Sequence, residues 1–212
     1  MSLDVPTLRK QFPSLQGQTV FFDNPGGTQV PQRVIDRMVT YYQESNANHG
    51  GAFTTSQASD AIIDEARSAV ADLLNASRPE EVVFGPNMTS LTLALSRSLA
   101  NELAEGDEII VTQLDHDANI SPWMQVAEAC GAKIKWLDFD VEDCTLLQNQ
   151  FDELLSERTR LVALGYASNA VGTIKTIKTM INKAREVGAL SFNDAVQYAP
   201  QGTIDVKDLE SQ

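Results

Sequence analysis

The sequence predicts an α/β protein, a three-layer sheet of mostly parallel strands with helices on both faces. Three observations predict it. Strand-length apolar runs alternate with helix-length periodic segments from residue 81 to residue 192. Hydrophobic residues make up 42% of 212 residues, ample for a core of that kind. Polar clusters follow the apolar runs, at the end of the strands where open α/β sheets bind ligands.

The elements follow in order. Residues 1–18 read as a lead-in with a short helix, and FFDNPGGTQVP at 21–31 as a strand end running into a Gly/Pro-rich turn. Thr28 reads as the N-cap of a helix from Val30 to Glu44, with Pro31 in its first turn. After the loop SNANHGGAF at 45–53, Ile62, Ile63, Ala66, Val70, Leu73 and Leu74 share one face of a long helix. EVVF at 81–84 reads as a short buried strand, and Leu91, Leu95, Leu99 and Leu103 as one face of the helix after it. Strands are then expected at 107–112, 133–137, 160–166 and 189–192, five in all with 81–84. Helices are expected at 122–130, 146–155 and 177–188, the last closed by Gly188. Right-handed crossovers are expected.

Charge and cysteine content bound the partners. Sixteen basic against 29 acidic residues give a net charge of −13. That argues against nucleic acid or an anionic membrane as the main partner, since each needs a basic face. A small anion held by local dipoles remains compatible. Cys130 and Cys144 have neither a disulfide-scaffold nor a zinc spacing, Cys130 reads as core, and no metal site is expected. The N-terminus shows no signal-peptide pattern and no apolar run reaches membrane-spanning length, so a cytoplasmic protein is expected.

The chemistry is expected just after the strands. GPNMTS places Thr89 and Ser90 at a helix start, where free N–H groups and hydroxyls suit a phosphate; plain helix capping is the other reading. No GxxxxGK[ST] or strand-following GxGxxG run supports a nucleotide site. QLDHDANIS carries His116, either a ligand-facing imidazole or a solvated loop residue. ASNAVGT carries Asn169. NDAVQ carries Asp194, a ligand contact or a local cap, and Gln197.

Five segments in this order and spacing, FFDNPGGTQVP, the Thr-Ser helix start, LDHDANISPW, SNAVGT and NDAVQYAPQGTIDV, resemble the N-terminal part of class V aminotransferases in their cysteine desulfurase-like branch. The resemblance covers roughly residues 20–207. It implies the large domain of fold type I pyridoxal-phosphate (PLP) transferases, incomplete at the C-terminus. Residues 1–45 would form an N-terminal segment and first helix, and 46–212 the PLP-binding domain. By the same resemblance, Thr89 and Ser90 hold the cofactor phosphate and His116 stacks on the pyridine ring. Asn169 lies near the ring's 3-oxygen and the substrate, Asp194 pairs with the ring nitrogen, and Gln197 bonds the 3-oxygen.

The implied activity is that of a cysteine desulfurase or aminotransferase, acting through an aldimine on an amino acid, possibly cysteine, in a homodimer. A non-catalytic module binding PLP or another phosphate ligand is the alternative. The family's Schiff-base lysine is expected beyond Gln212, together with a small C-terminal domain, so this chain alone is expected to be inactive and prone to aggregate. Lys175, Lys178 and Lys183 read as solvated surface residues, and Cys130 and Cys144 do not match the family's sulfur-accepting cysteine. Two departures stand out: His116-Asp117 where relatives commonly carry His-His, and Phe53 where some carry a second histidine near His49.

Overall fold

Helices build the first of two compact units, Met1–Val70, whereas the second, Ala71–Gln212, is built on a parallel sheet. The structure is a computed structural model that describes residues 3–209. In the first unit, α1 (Val5–Arg9) is capped by Asp4, whose carboxylate accepts from Thr7 N–H and Oγ1. Next come α2 (Gln32–Glu44) and α3 (Thr54–Leu74), whose last turn belongs to the second unit. Two buried serines of α3 fix the preceding loop. Ser56 Oγ donates to Asn48 O at 2.6 Å and accepts from Gly51 N–H at 2.7 Å, and Ser59 Oγ donates to Ser45 O at 2.5 Å.

Two expectations fail in this unit. No strand precedes the 24–26 turn, and α2 starts at Gln32 with Pro31 as its uncapped N-cap residue. Thr28 Oγ1 instead donates back to Asn24 O, within the turn.

The second unit runs α4 (Met88–Leu99), β1 (Glu108–Thr112), α5 (Ser121–Cys130), β2 (Lys133–Leu137), α6 (Gln148–Leu154), β3 (Thr159–Gly165), α7 (Ile177–Glu186), β4 (Leu190–Asp194) and α8 (Val206–Leu209). The strands pair all-parallel in the order β2-β1-β3-β4. From β1 the chain steps outward to β2, then returns past β1 to β3. The order therefore reverses between β1 and β3, the kind of switch point at whose carboxyl ends open α/β sheets bind ligands.

Burial follows strand alternation. Ile109 and Val111 of β1 and Leu161 and Ala163 of β3 face Trp123 and Ala127 of α5, while Ile110, Val162 and Leu164 face Phe151 of α6 and Met180 and Ile181 of α7. Helices thus cover both sheet faces, as the sequence predicts, and both faces of the central strands are apolar. Gly131, in the left-handed region at φ 76°, closes α5 and turns the chain into β2.

Four strands form among the described residues, one fewer than expected. The segment at 82–84 is extended but unladdered, with Val82 buried and Val83 and Phe84 71% and 50% exposed. A strand needs a neighbour for its N–H and C=O groups, and no described segment supplies one. The leucine stripe also shifts. α4 ends at Leu99, Leu91 and Leu95 are substantially exposed, and Thr92 and Ser96 are fully buried instead. Their hydroxyls bond back to Met88 O and Leu93 O, which lets them sit inside without unmet polar groups.

Candidate functional site

Three expected site residues follow or end three adjacent strands on the same side of the sheet. His116 comes four residues after β1, Asn169 four after β3, and Asp194 is the last residue of β4. β3 joins the others directly, for Gly165 pairs with Asp194 and Tyr166 N–H donates to Asp194 O at 2.7 Å.

The turn after β1 sets His116. Its Nδ1 accepts from Ala118 N–H at 3.0 Å, so a neutral ring carries its proton on Nε2. His116 O accepts from Asn119 N–H at 2.8 Å, which closes the turn over Asp117–Asn119. The ring lies at the surface, and α4 packs beside this turn.

The turn after β3 is a small hairpin. Ala167 bridges antiparallel to Ile174, Ser168 N–H donates to Thr173 O, and Ser168 Oγ accepts from Ala170 and Val171 N–H. Gly172 at φ 75° allows the reversal. Asn169 stands at the hairpin tip, half-buried, its amide without a hydrogen-bond partner among the described residues.

Asp194 Oδ1 accepts from Val196 N–H at 2.9 Å, which leaves Oδ2 for a ligand. Burial raises its carboxyl above the usual aspartate value; Val196 N–H opposes this, Asp115 adds to it, and His116 and Lys175 oppose it. A cationic N–H placed against Oδ2 would favour the charged form. Gln197 is half-buried three residues on, its side-chain amide also unpartnered among the described residues.

At the start of α4 the cap is Asn87, whose Oδ1 accepts from Ser90 N–H at 2.9 Å. Thr89 and Ser90 are therefore not the cap. Both are exposed in the first turn, and neither hydroxyl bonds to the described chain. Free hydroxyls at a helix N-terminus suit an anion.

One expectation is overturned beside this cluster. Lys175 is not solvated: its side chain and that of Asp115 are each 1% exposed, with Lys175 Nζ bonded to Asp115 Oδ1. The hairpin is the reason. Its return brings residue 175 alongside Tyr166, where Lys175 N–H donates to Tyr166 O at 2.9 Å. Lys178 and Lys183 do lie at the surface, paired with Asp208 and Asp152. Sequence reasoning also missed Asn87, Asp115, Asn119 and Ser168. Signals for them were Asn87 three residues before Ser90 and the glycine that ends β3.

Among the described residues no cluster of His, Cys, Asp and Glu could hold a metal ion, and no helix is long and apolar enough to cross a membrane. Cys130 and Cys144 are both free and half-buried.

Comparison with known proteins gives consistent matches. The family model "Aminotransferase class-V" matches residues 20–211. The aminotransferase-like protein FGM3 of Gibberella zeae is 39% identical over 98% of this chain and 52% of its own length. A cysteine desulfurase of Pectobacterium carotovorum is 35% identical over 99% of this chain and 53% of its own. The solved structure of the cysteine desulfurase CsdA from Escherichia coli superposes with a TM-score of 0.88 at 29% identity, covering all of this chain and 53% of that one. The chain thus spans about half the length of these relatives.

Proposed function

Because this chain belongs to the class V aminotransferase family, we propose that its site binds pyridoxal phosphate and that the whole protein acts on an amino acid, cysteine being the first candidate. One observation carries the reading. His116, Asn169 and Asp194 follow or end three adjacent parallel strands, with groups free to meet a ligand.

The residues fit the cofactor. Thr89 and Ser90 hydroxyls at the start of α4 would hold its phosphate. Asp194 Oδ2 would hold the proton on the ring nitrogen, and the His116 ring would cover the flat face. Asn169 and Gln197 amides would donate to the ring oxygen. When bound, the cofactor supplies an electron-accepting ring that stabilises negative charge developing on the substrate. A homodimeric, cytoplasmic whole protein belongs to the same proposal.

Equilibrium dialysis of the chain against pyridoxal phosphate tests it. Saturable binding of one cofactor per chain is expected, and binding no tighter than to an unrelated acidic protein contradicts the reading.

Reversible binding without turnover is a second reading for these 212 residues, favoured by the state of Lys175. It is the one lysine buried among the described residues, and Asp115 holds its ammonium. Borohydride treatment of the complex is then expected to label no lysine. Stoichiometric labelling would remove this second reading while leaving cofactor binding intact.

A further inference from the structure

A buried ion pair sits where the sheet order reverses. Asp115 leaves the end of β1, and Lys175 is the first residue past the hairpin that follows β3. Both side chains are 1% exposed. Asp115 Oδ2 accepts from Asn119 Nδ2 at 2.9 Å, and Asn119 Oδ1 accepts from Trp123 Nε1 at 3.4 Å. Asn119 and Trp123 are fully buried. Trp123 meets Phe192 of β4 edge to face, with ring centroids 5.2 Å apart. A polar chain therefore runs from the Asn169 hairpin through Lys175, Asp115 and Asn119 to the base of the His116 turn, and its last member rests on the strand that carries Asp194.

Such a pair is a costly way to gain stability, because removing two charges from water consumes most of their attraction. What it does supply is geometry. Asp115 adjoins His116, and Lys175 lies at the foot of the hairpin that carries Asn169. The backbone makes room for it at Gly165, where an added Cβ would lie 2.6 Å from Asp115 Oδ1 and 3.1 Å from Lys175 Nζ. A pair also adds no net charge beside Asp194, which a lone Lys175 or a lone Asp115 would do.

We propose that Asp115 and Lys175 are positioning residues: their buried ion pair locks the His116 turn to the Asn169 hairpin across the carboxyl ends of β1 and β3, fixing the two loops as one cofactor-facing surface. This deepens the cofactor-binding reading and rests on it for the roles of His116 and Asn169. The lock itself is a property of the chain alone and is tested without cofactor.

Residue-resolved amide hydrogen exchange on the unliganded chain separates a loop lock from general stabilisation. In Lys175→Met, exchange is expected to rise about tenfold or more at Ala118 and Asn119, which bond to His116, and at Ser168 in the hairpin. Val111 and Val162 in the strands are expected to change far less. A uniform change at all five amides, or none, overturns the proposal. Should Lys175→Met fail to fold with Asp115 left unpaired, the double variant Lys175→Met/Asp115→Leu removes both charges and replaces the pair with apolar bulk. The same local loosening is expected there, and wild-type protection of Ala118, Asn119 and Ser168 in the double variant equally overturns the proposal.

Discussion

Asp194 carries a stability cost in the unliganded chain at neutral pH. Its carboxyl is raised above the ordinary aspartate value of 3.8, chiefly by burial. A carboxyl raised on folding favours the folded state fully below the unfolded value, and that contribution is lost as pH rises through the folded value. Asp194→Asn, which keeps an acceptor for Val196 N–H, is therefore expected to raise the Tm of the unliganded chain at pH 7. The gain should vanish below about pH 3.8, and thermal melts across that range check it. Gly165→Ala forces a Cβ against the Asp115–Lys175 pair and is expected to cost about 1–3 kcal/mol in urea unfolding. The strand-end positions of His116, Asn169 and Asp194 were legible in the sequence because each comes at or just past the end of an apolar run, and runs show in one dimension. Lys175 was not. Its local pattern is that of a surface lysine, and only the bridge between Ala167 and Ile174 turns it inward.

At the scale of elements, β1 to β4 and the helices between them were legible because each carries its own periodicity. The segment at 82–84 was not, since ladder pairing depends on a neighbour rather than on the run itself. The α4 stripe failed for a related reason, because exposure of Leu91 and Leu95 depends on what covers them. Capping is local, yet Thr28 does not cap α2, and at α4 the capping alternative to phosphate binding does not hold for Thr89 or Ser90. Thr89 and Ser90 both suit a cap, but Asn87 is the one in extended backbone with its side chain turned back to Ser90. Asn87→Ala is expected to cost about 1 kcal/mol by chemical denaturation. It leaves the Thr89 and Ser90 hydroxyls in place, so any loss of cofactor affinity should be smaller than that of a Thr89→Ala/Ser90→Ala double variant.

On the whole molecule, the sheet has unlike edges among the described residues. β2 carries the exposed Lys133, which blunts strand addition, whereas β4 has Leu190 41% exposed, with Val83 and Phe84 also exposed in the same unit. The chain is expected to self-associate as its concentration rises, despite a net charge of −13. Sedimentation across a concentration series checks this, and a monomer throughout would contradict it. The central claim, that the strand ends after β1, β3 and β4 form a pyridoxal-phosphate site, is tested most directly by titrating the cofactor into wild type and Asp194→Ala. Losing a charge-assisted hydrogen bond to the ring nitrogen is expected to weaken binding about 10- to 100-fold, with affinity for inorganic phosphate unchanged. Equal cofactor affinity in the two proteins would contradict the account.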